Sequence, residues 1–110
     1  MPNSKMVIKL WCLPRVDEDN LHALFTKIVD AVVDLKIGIE SEKDMVVLFP
    51  SDMMAYGLGT EVIVEITNAP GDDIPREPAR RIGEIVKGAF PDAYVQCSVL
   101  RQGYVWCANY

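Results

Sequence analysis

Apolar residues dominate Met6-Val7-Ile8-Lys9-Leu10-Trp11-Cys12-Leu13, and the run stops at Pro14. Such a β-prone stretch predicts a strand buried over most of its surface. Asp17 then offers an N-cap, and Glu18 and Asp19 suit the positive end of a helix dipole. Leu21, Leu24, Phe25, Ile28, Val32 and Leu35 recur three and four apart, which predicts a helix ending near Lys36, with Gly38 just beyond. A second strand is expected over residues 44–49, closed by Pro50. Residues 51–59 hold two glycines and no clear period, so they read as a loop whose apolar side chains must find cover.

The order then repeats. Glu61-Val62-Ile63-Val64-Glu65-Ile66-Thr67 reads as a third strand, and residues 68–73 carry turn chemistry. Pro75 and Pro78 fit the opening turn of a second helix, whose interior they would break. Ala79, Ile82, Ile85, Val86 and Ala89 supply its apolar stripe. A fourth strand spans residues 93–100, and a short tail strand follows Gly103 at residues 104–107. Two β-α-β units in tandem predict an α/β (α+β) fold: a four-stranded mixed sheet with both helices on one face. One domain over residues 1–110 suits this length. The strands around Ile8 and Val64 carry apolar side chains toward both faces, since neighbours alternate. The helix-free face would then expose an apolar patch unless another copy covers it, the tail strand extending a neighbour's sheet.

Charge narrows the partners. The net charge is −5, with no basic run, which disfavours nucleic acid. No segment approaches the apolar length of a membrane span, and Met1–Lys5 lacks a signal-peptide pattern. Cys12, Cys97 and Cys107 are odd in number, form no C-x-x-C pair and sit among apolar neighbours. They read as buried thiols of a reduced, cytoplasmic protein. His22 is the only histidine and has no ligand spacing around it, so no metal site is expected.

Several short stretches resemble the tautomerase superfamily. Phe49-Pro50-Ser51-Asp52-Met53-Met54-Ala55-Tyr56-Gly57 is similar to a loop of the macrophage migration inhibitory factor family, as are Leu13-Pro14-Arg15, Ala93-Tyr94-Val95-Gln96 and Trp106-Cys107-Ala108-Asn109. The bacterial 5-carboxymethyl-2-hydroxymuconate isomerases share the layout. The resemblance implies a homotrimer and a cofactor-independent keto–enol tautomerase or isomerase acting on a small α-keto or enol carboxylate. It also implies an N-terminal proline as base, because a secondary amine with a lowered pKa accepts a proton at neutral pH.

The resemblance assigns roles to six positions. Pro2 is the catalytic candidate, yet it stands three residues before the place where the family's proline lies, ten before Arg15, and Lys5 occupies that place. Three extended residues span about 10 Å, so Lys5 is the alternative base and a catalytically inactive binding or structural protein is the alternative function. If Met1 is retained, Pro2 has an amide nitrogen and no basicity. Arg15 and Lys36 are candidate carboxylate holders; their ordinary roles would be a surface arginine and a lysine favoured at a helix C-terminus. Tyr94 and Gln96 share one face of a strand and would line a neighbour's pocket or pack at the interface. Residues 53–56 read as loop-anchoring core, and Trp106 as an interface or pocket-wall aromatic.

Overall fold

A computed structural model describes residues 6–14, 16–50, 61–67, 76–101 and 104–110. The elements run β1 (Met6–Trp11), α1 (Glu18–Asp34), a 3-10 turn (Glu42–Asp44), β2 (Met45–Leu48), β3 (Glu61–Thr67), α2 (Arg76–Ala89), β4 (Tyr94–Arg101) and β5 (Tyr104–Asn109). They form one sheet in the order β2-β1-β3-β4-β5. β1 pairs parallel with β2, and β3 parallel with β4, as a crossover connection in each unit requires. The units join antiparallel at the centre, where Leu10 lies opposite Val64.

The sheet has five strands, not four. β5 pairs antiparallel with β4 of its own chain, Val99 opposite Trp106, instead of extending a neighbour. A hairpin is the shortest route for a chain that turns straight back. Backbone bonds between Tyr110 and Val95 prolong the pairing past Asn109. Two other boundaries also differ from expectation. β1 stops at Trp11, because Cys12 adopts a positive φ of 63° and leaves the strand. β2 starts one residue late, at Met45, because Ser41 caps the 3-10 turn through its side chain.

α1 forms where its caps and stripe place it. The Asp17 carboxylate accepts from the Asn20 N–H at 2.8 Å, and Leu24, Ile28, Val29 and Val32 are buried. α2 buries Pro78, Ala79, Ile82, Gly83 and Val86. Both stripes meet one sheet face, made of Met6, Ile8 and Leu10, Val62, Val64 and Ile66, and Val95, Cys97 and Val99. Gly83 is needed for close approach. A Cβ there would lie 2.5 Å from the Tyr110 ring, which is packed against the core from the end of β5.

The other face has no helix. It carries Val7, Lys9 and Trp11, then Ile63, Glu65 and Thr67, then Tyr94, Gln96, Ser98 and Leu100, all half-buried or exposed. Leu48 lies beside Lys9, and Cys107 beside Ser98. Among the described residues the exposed large hydrophobic side chains are Trp11, Leu48, Tyr94 and Leu100, and all four stand on this face.

Candidate active site

Pro2, Lys5, Arg15 and the 53–56 stretch lie outside the described residues. Lys36, Tyr94 and Gln96 can be placed. α1 carries the chain back from the Trp11 end of β1 to the Met6 end, where β2 begins level with Met6. Lys36 stands at that return, exposed, one residue past the Leu35 cap. Its φ is 55°, a left-handed backbone at the position where glycine is the usual occupant. Its N–H donates to the Val33 carbonyl at 3.1 Å. No basic residue occupies the last turn of α1, so Lys36 is the cation nearest the carbonyl end of that helix along the chain.

Tyr94 and Gln96 sit at the other end. Gln96 is level with Ile63 and hence with Trp11, and Tyr94 lies two residues further out, beside Glu61. Five strand residues separate the Met6 and Trp11 rows, roughly 17 Å. Within one chain, then, Lys36 does not meet Tyr94 or Gln96. Tyr94 is 77% exposed, an unusual state for a tyrosine at a strand start, and Gln96 is half-buried on the same open face.

Among the described residues, two cavities lie beside α1, and neither is lined by Lys36, Tyr94 or Gln96. One, of about 380 Å³, is lined by Val29, Asp30, Val33, Asp34, Glu40, Ser41 and Glu42. Four carboxylates make it repel the anionic substrate that the resemblance implies. The other, of about 340 Å³, lies between α1 and the end of α2 and is mostly apolar, with Asn20 and Lys27 at its wall.

Among the described residues the side-chain ion pairs lie on α2. On exposed α2, Arg80 pairs with Glu77 and with Glu84, the latter at 2.9 Å. The Arg80 hydrogen bond holds the Glu77 carboxyl below its usual range, and Glu77 and Glu84 raise Arg80 in turn. Lys87 Nζ donates to the Ala93 carbonyl at 2.6 Å and closes the turn into β4. Burial pushes the Cys97 thiol up to about 12, so it stays neutral and is no nucleophile. Burial likewise raises Tyr110. Among the described residues no group of three or more His, Cys, Asp or Glu side chains is placed to hold a metal ion, and no helix is long and apolar enough to cross a membrane.

Two expectations need correction. Cys107 is exposed on the open face, its Sγ 3.4 Å from Ser98 Oγ, because β5 extends the sheet and turns that position outward. Trp106 points the opposite way and packs against the helix-side core, as the alternation along β5 requires. The charged pair Lys9 and Glu65, side by side at the centre of the open face, escaped attention in the sequence. Their alternation with the buried Ile8, Leu10, Val64 and Ile66 was the available signal.

No family model matches the chain, and no curated protein matches it. Among solved structures, it is similar to one described as "F6 fused 4-OT wild type asymmetric trimer", a fused 4-oxalocrotonate tautomerase. The TM-score is 0.61 over 86% of this chain and 85% of that one, at 10% identity. The chain has the tautomerase fold. At so low an identity the likeness is one of architecture, and it does not select the migration inhibitory factor or hydroxymuconate isomerase branch within that fold.

Proposed function

We propose that the chain is one subunit of a homotrimeric, cofactor-independent tautomerase or isomerase acting on a small α-keto or enol carboxylate. The observation that carries this is the division of candidates across a tautomerase-fold subunit. Lys36 stands at one end of the sheet, and the exposed Tyr94 and half-buried Gln96 stand at the other. A pocket holding all three requires a second copy, and the open face with its four exposed hydrophobic side chains gives a reason for that copy to dock. The solved relative is itself described as a trimer.

In this scheme a base takes the proton from the carbon beside the keto group. The electron pair moves onto the carbonyl oxygen, and the proton is returned there to give the enol. The Pro2 amine is the first candidate base and Lys5 the second. Arg15 and Lys36 hold the carboxylate, and Tyr94 and Gln96 of the next copy close the pocket. The three-residue offset of Pro2 favours one alternative, an assembly that binds small carboxylates without turning them over.

Ultraviolet decay of phenylenolpyruvate tests the enzyme directly. The parent should accelerate ketonisation, and Pro2→Ala or Lys5→Ala should abolish the acceleration, identifying the base. A parent no faster than buffer overturns the activity and leaves the binding alternative, which isothermal titration with pyruvate-like acids would then decide.

A further inference from the structure

The ladder between β1 and β3 ends at the Trp11–Ile63 pair, and Cys12 then turns out of the strand. One more row of the sheet follows, Glu61 of β3 beside Tyr94 of β4. The alternation that buries Val62 and Val64 on the helix side turns Glu61 to the open face, where it is exposed like Tyr94. Neighbouring strands lie about 5 Å apart, so a molecule that touches Tyr94 there also meets Glu61. The next row toward the sheet centre holds Trp11, Ile63, Gln96 and Asn109, all uncharged. Among the described residues no ion pair includes Glu61. Lys9 stands level with Glu65, four residues along β3 and roughly 13 Å away. Lys87 comes from the helix side and donates to the Ala93 carbonyl.

We infer that Glu61 gives the proposed pocket an acidic wall, and that the substrate is an α-keto acid or its enol with an ammonium or guanidinium group at the end away from its carboxylate. This deepens the tautomerase reading above and rests on it. If Tyr94 and Gln96 close a neighbour's pocket, Glu61 enters with them. The pocket then has two unlike ends. Arg15 and Lys36 of one copy hold the carboxylate, and Glu61 of the next copy faces the rest of the molecule. A carboxylate closed off from water is costly unless a cation meets it. A substrate with a positive far end supplies that cation. A neutral substrate leaves Glu61 unpaired, and a dicarboxylate sets two negative charges together. Trp11, one row in on the same face, presents a ring on which such a cation is also favoured.

Three phenylpyruvates that differ only at the para position of the ring test this through the ultraviolet decay of their enols: guanidino, unsubstituted and carboxy. The parent should prefer the guanidino acid to the unsubstituted one by about tenfold or more in kcat/KM, with the carboxy acid slowest. Added salt should shrink that preference. Glu61→Gln should bring the guanidino and unsubstituted acids together, and Glu61→Lys should put the carboxy acid first. If Glu61 serves folding or assembly alone, its variants lower all three rates alike and leave their ratios unmoved, which overturns the inference. So does a parent that handles the guanidino and unsubstituted acids equally, as when Arg15 or Lys36 already neutralises Glu61; the tautomerase reading then stands. A parent inactive on all three overturns the activity and not the acidic wall. Isothermal titration with the matching arylpropanoates, which lack the keto group, then decides the wall. Tighter binding of the guanidino acid by the parent but not by Glu61→Gln supports it, and equal binding, or none, overturns it.

Discussion

The two faces of this sheet are built to different rules. On the helix side Met6, Ile8, Leu10, Val62, Val64, Ile66, Val95, Cys97 and Val99 are at most 2% exposed, and among the described residues no polar side chain is buried with them. On the other side Lys9, Glu65, Thr67, Gln96 and Ser98 are interleaved with Trp11, Leu48, Tyr94 and Leu100. A face that only needed to fold would resemble the first, and one that only met water would lack the second group's hydrophobes. The difference separates the face that holds one chain together from the face to which the proposed oligomer assigns the contact between chains.

Core truncation should show the contrast most strongly. Ile8→Ala or Ile66→Ala creates a cavity at a fully buried position and should cost ~2–5 kcal/mol in urea unfolding. Leu48→Ala or Leu100→Ala should change single-chain stability by less than ~1 kcal/mol while lowering the mass seen by light scattering. Equal losses from both faces would break the comparison.

Gly83→Ala comes next. The added methyl group meets the Tyr110 ring, and the forced shift should cost about 1–3 kcal/mol. In a Tyr110→Ala background the same change should be nearly free, so a double-mutant cycle must show strong coupling.

The thiols sharpen the contrast chemically. Cys107 should react with iodoacetamide in the native protein, more slowly as concentration promotes assembly, and Cys97 should react only on unfolding. Cys97 has its folded pKa raised to about 12 from 9.0, so between those values the unfolded chain has lost a proton that the folded chain keeps. Stability must therefore fall as pH rises through that window. Urea midpoints of the parent should decline there more steeply than those of Cys97→Val, and parallel curves would refute the assignment.

The smallest stability effect belongs to Lys36→Gly. Relief of left-handed strain is offset by glycine's chain entropy and the lost attraction to the helix end, leaving a net change under ~1 kcal/mol. If Lys36 holds a substrate carboxylate, kcat/KM should nevertheless fall steeply. An unchanged kcat/KM in an active parent would make it an ordinary helix-end lysine.

The fold was more legible in the sequence than the candidate site was. Period and caps place both helices, and the alternation at Val62-Ile63-Val64 marks a two-faced strand, because burial leaves a local trace in the chain. The home of β5 left no such trace: Tyr104-Val105-Trp106-Cys107 is equally strand-like against a neighbour or its own β4, and pairing partners are decided by the turn and the ladder. The placement of Lys36 against Tyr94 and Gln96 was illegible for another reason. Their separation depends on strand direction and crossover, which no residue encodes alone.

The antiparallel join of β1 to β3 also sets a timetable. Val7 pairs with Thr67, sixty residues further along the chain. As the chain is synthesised, β1, α1 and β2 emerge while one edge of β1 still lacks its partner. That edge is satisfied only when β3 arrives, a long loop closure that slows folding. The first β-α-β unit thus keeps one sheet edge open until the second unit is made.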